Sequence, residues 1–164
     1  MALLPPTETL DRLYLRLLAW AIWFTPTLRF GPGLAEPDAP GLFDEDLTGR
    51  RTVWVGVNPP SAEKMNYAVR HNHGARIGAA FAGHTAYAGF LEGSRTLKGV
   101  ETVEFVRIEE AFLAALADAL QERRYDVEIT IVEDTIYLSA GGQSFSGTFE
   151  KFTGLPESDI HPVA

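Results

Sequence analysis

The spacing of apolar residues predicts two long helices. Apolar side chains recur at every third or fourth position over about 8–24, and Pro26 follows and ends this helix. The same period runs over about 103–124, with charged residues on the opposite face. The apolar positions are Leu10, Leu13, Leu17, Trp20 and Phe24 in the first helix, and Phe105, Ile108, Phe112, Leu116 and Leu120 in the second.

Alternation of apolar and polar positions predicts strands elsewhere. In "RRTVWVGV" three valines alternate with Trp54 and Gly56, and a further extended piece is expected around 67–71. The segments "VEITIV", "TIYLSA" and "SFSGTF" predict a C-terminal β-meander over 126–150. Proline and glycine predict a long loop over 27–49. This order indicates a single α+β domain, 1–164, with an antiparallel or mixed sheet and its two main helices on one face.

Composition narrows the class of protein. The 164 residues are 46% apolar and 22% charged, a balance typical of a folded chain. The absence of cysteine excludes disulfides and thiol nucleophiles. A net charge of −8 disfavours specific binding to nucleic acid. The most apolar window, 17–28, is too short to span a bilayer, so we expect a soluble, cytoplasmic product without a membrane partner.

The histidines are the strongest candidates for chemistry. A metal site could be formed by His71, His73 and His84, or completed by Glu92. The spacing of these residues matches no known zinc-binding pattern. Ser146 lies in a near miss for a nucleophile elbow, and it falls between predicted strands. We therefore predict no metal, no cofactor and no enzymatic activity. A small metal-dependent hydrolase and a ligand- or partner-binding α+β module remain open as alternatives.

Two short motifs resemble those of bacteriophage neck and tail-completion proteins, a family of minor tail and virion-morphogenesis proteins. In that family a Tyr-Ala pair opens a strand and a glycine closes it. The first copy here consists of Tyr67, Ala68, Asn72, Gly74 and Arg76. The second consists of Tyr87, Ala88, Glu92, Gly93 and Arg95. The "VGV" core before the first copy and the partial turn "FTPTLRFGPG" are similar as well.

The resemblance implies a structural virion protein, made in the host cytoplasm, that joins the head connector to the tail. Its partners would be other neck, connector or tail proteins and further copies of itself in a ring, expected to be a hexamer. DNA would pass through the ring without specific binding, because an acidic wall repels phosphate. The expected assembly contacts are Asp44, Glu45, Asp46, Tyr67, Asn72, Gly74, Arg76, Tyr87, Glu92, Gly93 and Arg95.

Overall fold

The computed structural model describes residues 9–31, 39–57, 61–92, 100–122 and 125–156. The broad α+β class predicted from the sequence is confirmed, whereas several elements differ from the prediction. The helices are α1 (Leu10–Ile22), α2 (Ala62–His71), α3 (Gly83–Glu92) and α4 (Glu110–Ala119). The strands are β1 (Arg29–Phe30), β2 (Leu42–Glu45), β3 (Arg51–Val57), β4 (Arg76–Ala82), β5 (Glu104–Ile108), β6 (Val127–Val132), β7 (Thr135–Ala140) and β8 (Gln143–Thr153).

All eight strands form one mixed sheet that curls into a half-barrel, in the order β1-β2-β3-β4-β5-β8-β7-β6. Strands β3, β4 and β5 are parallel, and the remaining pairs are antiparallel. The 11-residue strand β8 joins the two halves, because its last residues pair with β5 and its first residues pair with β7. The predicted strand "RRTVWVGV" and the predicted C-terminal meander are both confirmed, and the meander extends to Thr153.

Helices cover both faces of the sheet, so the prediction of helices on one face is wrong. Helices α2 and α3 connect the parallel strands and, as such crossovers do, lie on a face of the sheet. Met65 of α2 and Tyr87 of α3 are buried there against Phe81 and Phe105. Helices α1 and α4 pack on the opposite face in a second core.

The predicted helix over 103–124 is wrong in its first part. Residues 104–108 form β5, and only Glu110–Ala119 are helical. Phe105 faces one core and Ile108 the other, because a central parallel strand is buried on both sides. A strand that is buried on both sides has apolar residues at positions that also fit a helical period. The sequence pattern therefore predicted β5 and α4 as a single helix.

The expected strand around 67–71 is also wrong, because these residues end α2. The Ser61 hydroxyl accepts a hydrogen bond from the Lys64 backbone N–H at 3.1 Å and so caps the start of the helix. Met65 and Ala68 then face the core, three positions apart. A serine after two prolines was the available sequence signal for this cap.

The predicted loop over 27–49 contains β1 and β2, which extend the sheet beyond β3. Part of that loop, 32–38, lies outside the described residues. No described helix is both long and apolar enough to cross a membrane. That the whole chain, 1–164, forms a single domain stays a prediction.

Candidate functional site

A crevice of about 410 Å3 opens at the carboxyl ends of the parallel strands β4 and β5. Ligands of open α/β sheets bind at this edge, where the chain turns from strands into helices. The crevice is lined by Gly83, His84, Arg107, Ile108, Glu109, Glu110, Ala111, Thr148, Phe149 and Glu150.

Tight connections place two helix starts beside each other in this crevice. Helix α3 follows β4 without a loop, because Gly83 adopts a φ of 78° that favours glycine. A Cβ atom on residue 83 would also lie 3.0 Å from Cγ of Glu110, in the first turn of α4. The positive ends of both helix dipoles therefore meet at Gly83 and Glu110.

Arg107 is the most constrained charged residue of the crevice. Its Cζ atom lies 4.7 Å from the ring centre of Tyr87 and 5.4 Å from that of Phe152. Its Nη2 donates to Glu150 at 2.5 Å, directly across the β5–β8 pair. The buried Nε has no hydrogen-bond partner among the described residues. Aromatic rings and one carboxylate thus hold the guanidinium in a single position.

The contact between Arg107 and His84 assigns hydrogen-bonding roles to the two imidazole nitrogens. Arg107 Nη1 lies 3.2 Å from Nδ1 of His84. A guanidinium only donates hydrogen bonds, so Nδ1 of His84 is the acceptor and carries no proton. With Nδ1 as the acceptor of this bond, Nε2 is the ring nitrogen that can donate a hydrogen bond.

Three carboxylates outnumber the one guanidinium in the crevice. Glu109 accepts hydrogen bonds from the backbone N–H and the hydroxyl of Thr148, each at 3.1 Å. Glu150 is engaged by Arg107. The carboxylate of Glu110, by contrast, makes no hydrogen bond or ion pair to any described residue. The crevice therefore carries net negative charge, and its free carboxylate belongs to Glu110.

The histidines considered for a metal site do not come together. His71 and His73 lie at the end of α2 and in the turn before β4, whereas His84 follows the far end of β4. A strand of seven residues separates the two ends by roughly 20 Å. Within the described part of the chain, no group of three His, Asp or Glu side chains is placed to hold a metal ion. The histidines of the hydrolase alternative therefore form no metal site in the described part of the chain.

The acidic residues expected to be assembly contacts lie at the end of β2 and in the turn that follows it. Asp46 accepts hydrogen bonds from Thr48 and from the Arg50 backbone N–H, and the Thr48 hydroxyl contributes most to lowering the pKa of Asp46. Glu45 pairs with Arg29 at 3.7 Å. Asp44 is only 5% exposed, and an assembly role for the three acidic residues stays a prediction.

The Asp44 carboxylate is held by two threonine hydroxyls. Thr25 Oγ1 lies 2.5 Å from Oδ2 of Asp44, and Thr27 Oγ1 lies 2.8 Å from Oδ1. Burial opposes ionisation of Asp44, but these bonds outweigh it, together with the Glu45 backbone N–H and the nearby Arg29. They hold the pKa of Asp44 below its ordinary value of 3.8. Asp44 therefore ties the segment after α1 to β2.

The first of the two Tyr-Ala motifs has a structural role at the end of α2. Its Tyr67 is exposed and stacks on His71 with ring centres 3.9 Å apart. Asn72 donates to the carbonyl of Ala68 at 2.9 Å, and Gly74 has a φ of 81° in the turn that follows. The motif therefore closes a helix and not a strand.

The remaining motif residues are spread over the molecule. Arg76 makes a bidentate contact with Glu104, at 2.7 and 2.8 Å, which the Lys151 ammonium joins at 3.0 Å. Tyr87 is buried in α3, and Glu92 is its exposed last residue. Gly93 and Arg95 lie outside the described residues. An assembly role for the exposed members of both motifs stays a prediction.

The sequence interpretation missed Arg107, Glu109, Glu110 and Thr148. Arg107 and the two glutamates were assigned to the polar face of one long helix, so their place at a strand-to-helix junction was hidden. The available signal was the run "EFVRIEEAF", in which two adjacent acidic residues follow a β-branched, apolar stretch and can begin a helix.

Comparison with known proteins shows which family and which solved structures this chain is similar to. The family model described as "YaeQ protein" matches residues 3–149. The crystal structure of YaeQ protein from Pseudomonas syringae is similar with a TM-score of 0.77 and 25% identity, covering 92% of this chain and 82% of that one. YaeQ protein from Xanthomonas axonopodis pv. citri has a similar fold, with a TM-score of 0.75, 24% identity, and coverage of 92% and 84%. None of the curated proteins matches significantly.

These matches overturn the resemblance to phage neck and tail-completion proteins. The family model covers most of the chain, and the similar structures come from bacteria. The predicted structural role in a virion and the predicted location in the virion are therefore wrong. The physical reason is that short Tyr-Ala and glycine motifs are not specific to one fold, and here the Tyr-Ala pair of each copy lies in a helix and not in a strand.

Proposed function

This chain belongs to the YaeQ family, and we propose that it is a non-catalytic protein that binds an ammonium-bearing small molecule in the crevice between α3 and α4. The observation that carries the proposal is the free carboxylate of Glu110, which lies beside Gly83 where the two helices begin. This proposal is more specific than the earlier alternative of a ligand- or partner-binding module, because it names the binding site and the charge of the ligand.

The balance of charge favours a cation over an anion. Helix N-termini attract anions, but Glu110 already places a carboxylate of the chain itself at this position. Arg107 is neutralised by Glu150, so it offers little to an anionic ligand. The net charge of −8 adds a long-range attraction for cations.

The neighbouring groups suit a ligand with a polar oxygen close to its ammonium group. Nε2–H of His84 is a hydrogen-bond donor, and the ammonium would donate to Glu110. Because the crevice is open and Glu110 is exposed, each charged contact contributes only about 0.2–1 kcal/mol. Even a few such contacts sum to only about 1–3 kcal/mol, so a minimal ligand is expected to bind with a Kd on the order of 10–100 mM.

Calorimetric titration with ethanolammonium chloride tests the proposal. Glu110→Gln should weaken binding by up to about fivefold, since it removes the charge and keeps the shape. The matched control is Glu63→Gln, because Glu63 is also an exposed residue in the first turn of a helix and its loss changes the net charge equally. Equal weakening by both variants, or equally strong binding of acetate, would contradict the proposed site.

A further inference from the structure

We infer that the outer edge of β6 is a self-association surface, through which two copies of this chain join their sheets. Strand β6 is the last strand in the sheet order, and its described pairing is with β7 alone. Its outward-facing backbone groups therefore have no strand beside them in the described part of the molecule. Such an edge can pair with another strand.

The β6 edge lacks most features that protect edge strands. It is six residues long and pairs with β7 in an unbroken register, so no bulge twists it away. Its sequence "VEITIV" contains no proline and no lysine, and Glu128 is its only charged residue. Proteins usually interrupt an exposed apolar edge of this length. The opposite edge, β1, is only two residues long and is thereby protected.

The inner face of β6 also leaves apolar surface uncovered. Ile129 and Ile131 pack against the core next to Leu138 and Ile136 of β7, yet they are only half-buried. Val127 on the same face is 36% exposed. A further strand beside β6 would extend the sheet over these side chains and bury them.

A second copy fits this edge because the strand is complementary to itself. In an antiparallel pair centred on Ile129, Val127 of one copy lies opposite Ile131 of the other, and the two Ile129 side chains meet. On the outer face Glu128 lies opposite Thr130, so the two carboxylates are not opposed. Apolar β-branched pairs and a Glu–Thr pair are favourable across strands. This two-fold contact closes at two copies and generates no ring.

Native mass spectrometry and light scattering across a concentration series test this inference. We expect a dimer that dissociates on dilution. Val127→Lys should raise its dissociation constant at least about tenfold, because a charge would face Ile131 of the second copy. Val132→Lys is the matched control: Val132 is 54% exposed on the outer face and would lie opposite Asp126, so the dimer should persist. A monomer at every concentration, a larger ring, or a dimer insensitive to Val127→Lys would overturn the inference.

A crosslink provides an independent test that does not depend on weakening the dimer. The chain has no cysteine, so Ile129→Cys introduces a single thiol at the position that meets itself in the paired edges. Mild oxidation should give a covalent dimer, because directly opposite residues are close enough for a disulfide. Val132→Cys should not crosslink under the same conditions. Equal crosslinking of both variants would show random collision and would contradict the proposed pairing.

Discussion

Gly147 of β8 lies directly under the ring of Phe112 in α4: a Cβ atom on residue 147 would come within 2.2 Å of Cγ of Phe112. The helix can approach β8 only because this position has no side chain. The contact lies beside Thr148 and Glu109, which line the crevice. Packing of one glycine therefore helps to set the distance between α4 and the strand that forms the crevice wall.

Gly147→Ala should destabilise the protein, because the added methyl group cannot fit without moving the Phe112 ring. Overpacking of this kind costs about 1–3 kcal/mol in the free energy of unfolding. Chemical denaturation at pH 7 measures the change. The control is Gly89→Ala: Gly89 lies in α3, and a Cβ atom there would meet nothing within 4 Å, so alanine should stabilise the helix by about 0.5–1 kcal/mol. Equal effects of the two variants would contradict the close approach of α4 to β8.

Tyr14→Phe should weaken the contact between α1 and α4. The Tyr14 hydroxyl donates to the Leu120 carbonyl at 2.6 Å in the core, where α4 ends. Without it, a buried carbonyl loses this donor, which costs about 1–2 kcal/mol. Thermal unfolding measures the loss, and Tyr137→Phe is the control because Tyr137 is 50% exposed. An unchanged midpoint for Tyr14→Phe would show that water replaces the lost bond.

Asp44→Asn should remove part of the acid sensitivity of folding. The pKa of Asp44 is lowered in the folded chain, so its ionised form adds stability that is complete above the unfolded value of 3.8. This stability is lost as the pH falls below 3.8 through the folded pKa. At pH 7 we expect Asp44→Asn to be about 1–2 kcal/mol less stable than the unmodified chain.

Urea denaturation between pH 7 and pH 2.5 separates this effect from other carboxylates. The stability difference between Asp44→Asn and the unmodified chain should shrink as the pH falls below 3.8 and through the lower pKa of folded Asp44, because Asp44 then becomes protonated and neutral like asparagine. Glu104 also has a lowered pKa, because its hydrogen bonds and ion pairs with Arg76 and Lys151 outweigh the effect of burial. Glu104 is present in both proteins, so its contribution cancels in the stability difference. A stability difference that stays constant with pH would show that folding does not lower the pKa of Asp44.

The sequence predicted elements best where a single face of the chain is buried. The helix at Leu10–Ile22 and the strands β6 and β7 each have one apolar face. The regular spacing of their apolar residues is therefore visible in the sequence. Strand β5 is buried on both faces and was merged with α4. Helix α2 was mistaken for a strand because only Met65 and Ala68 mark its buried face.

The candidate crevice could not be predicted from the sequence, because its residues come from segments far apart in the chain. His84 follows β4, Arg107 is in β5, and Glu150 is in β8. Only the parallel pairing of β4 with β5 and the antiparallel pairing of β5 with β8 bring these three together. The same long-range pairing places His84 at the far end of β4 from His71 and His73, so the histidines considered for the alternative metal site are not brought together.

The most direct test of the ammonium site is a chemical-shift map of the unmodified protein titrated with ethanolammonium chloride at constant ionic strength. We expect the backbone amide signals of Gly83, His84, Glu110 and Thr148 to shift together with one saturating curve, while equal concentrations of sodium acetate leave them in place. Shifts spread over acidic surface residues such as Glu63 and Glu128, with no saturation at the crevice, would contradict the site and leave only non-specific attraction of cations to an acidic protein.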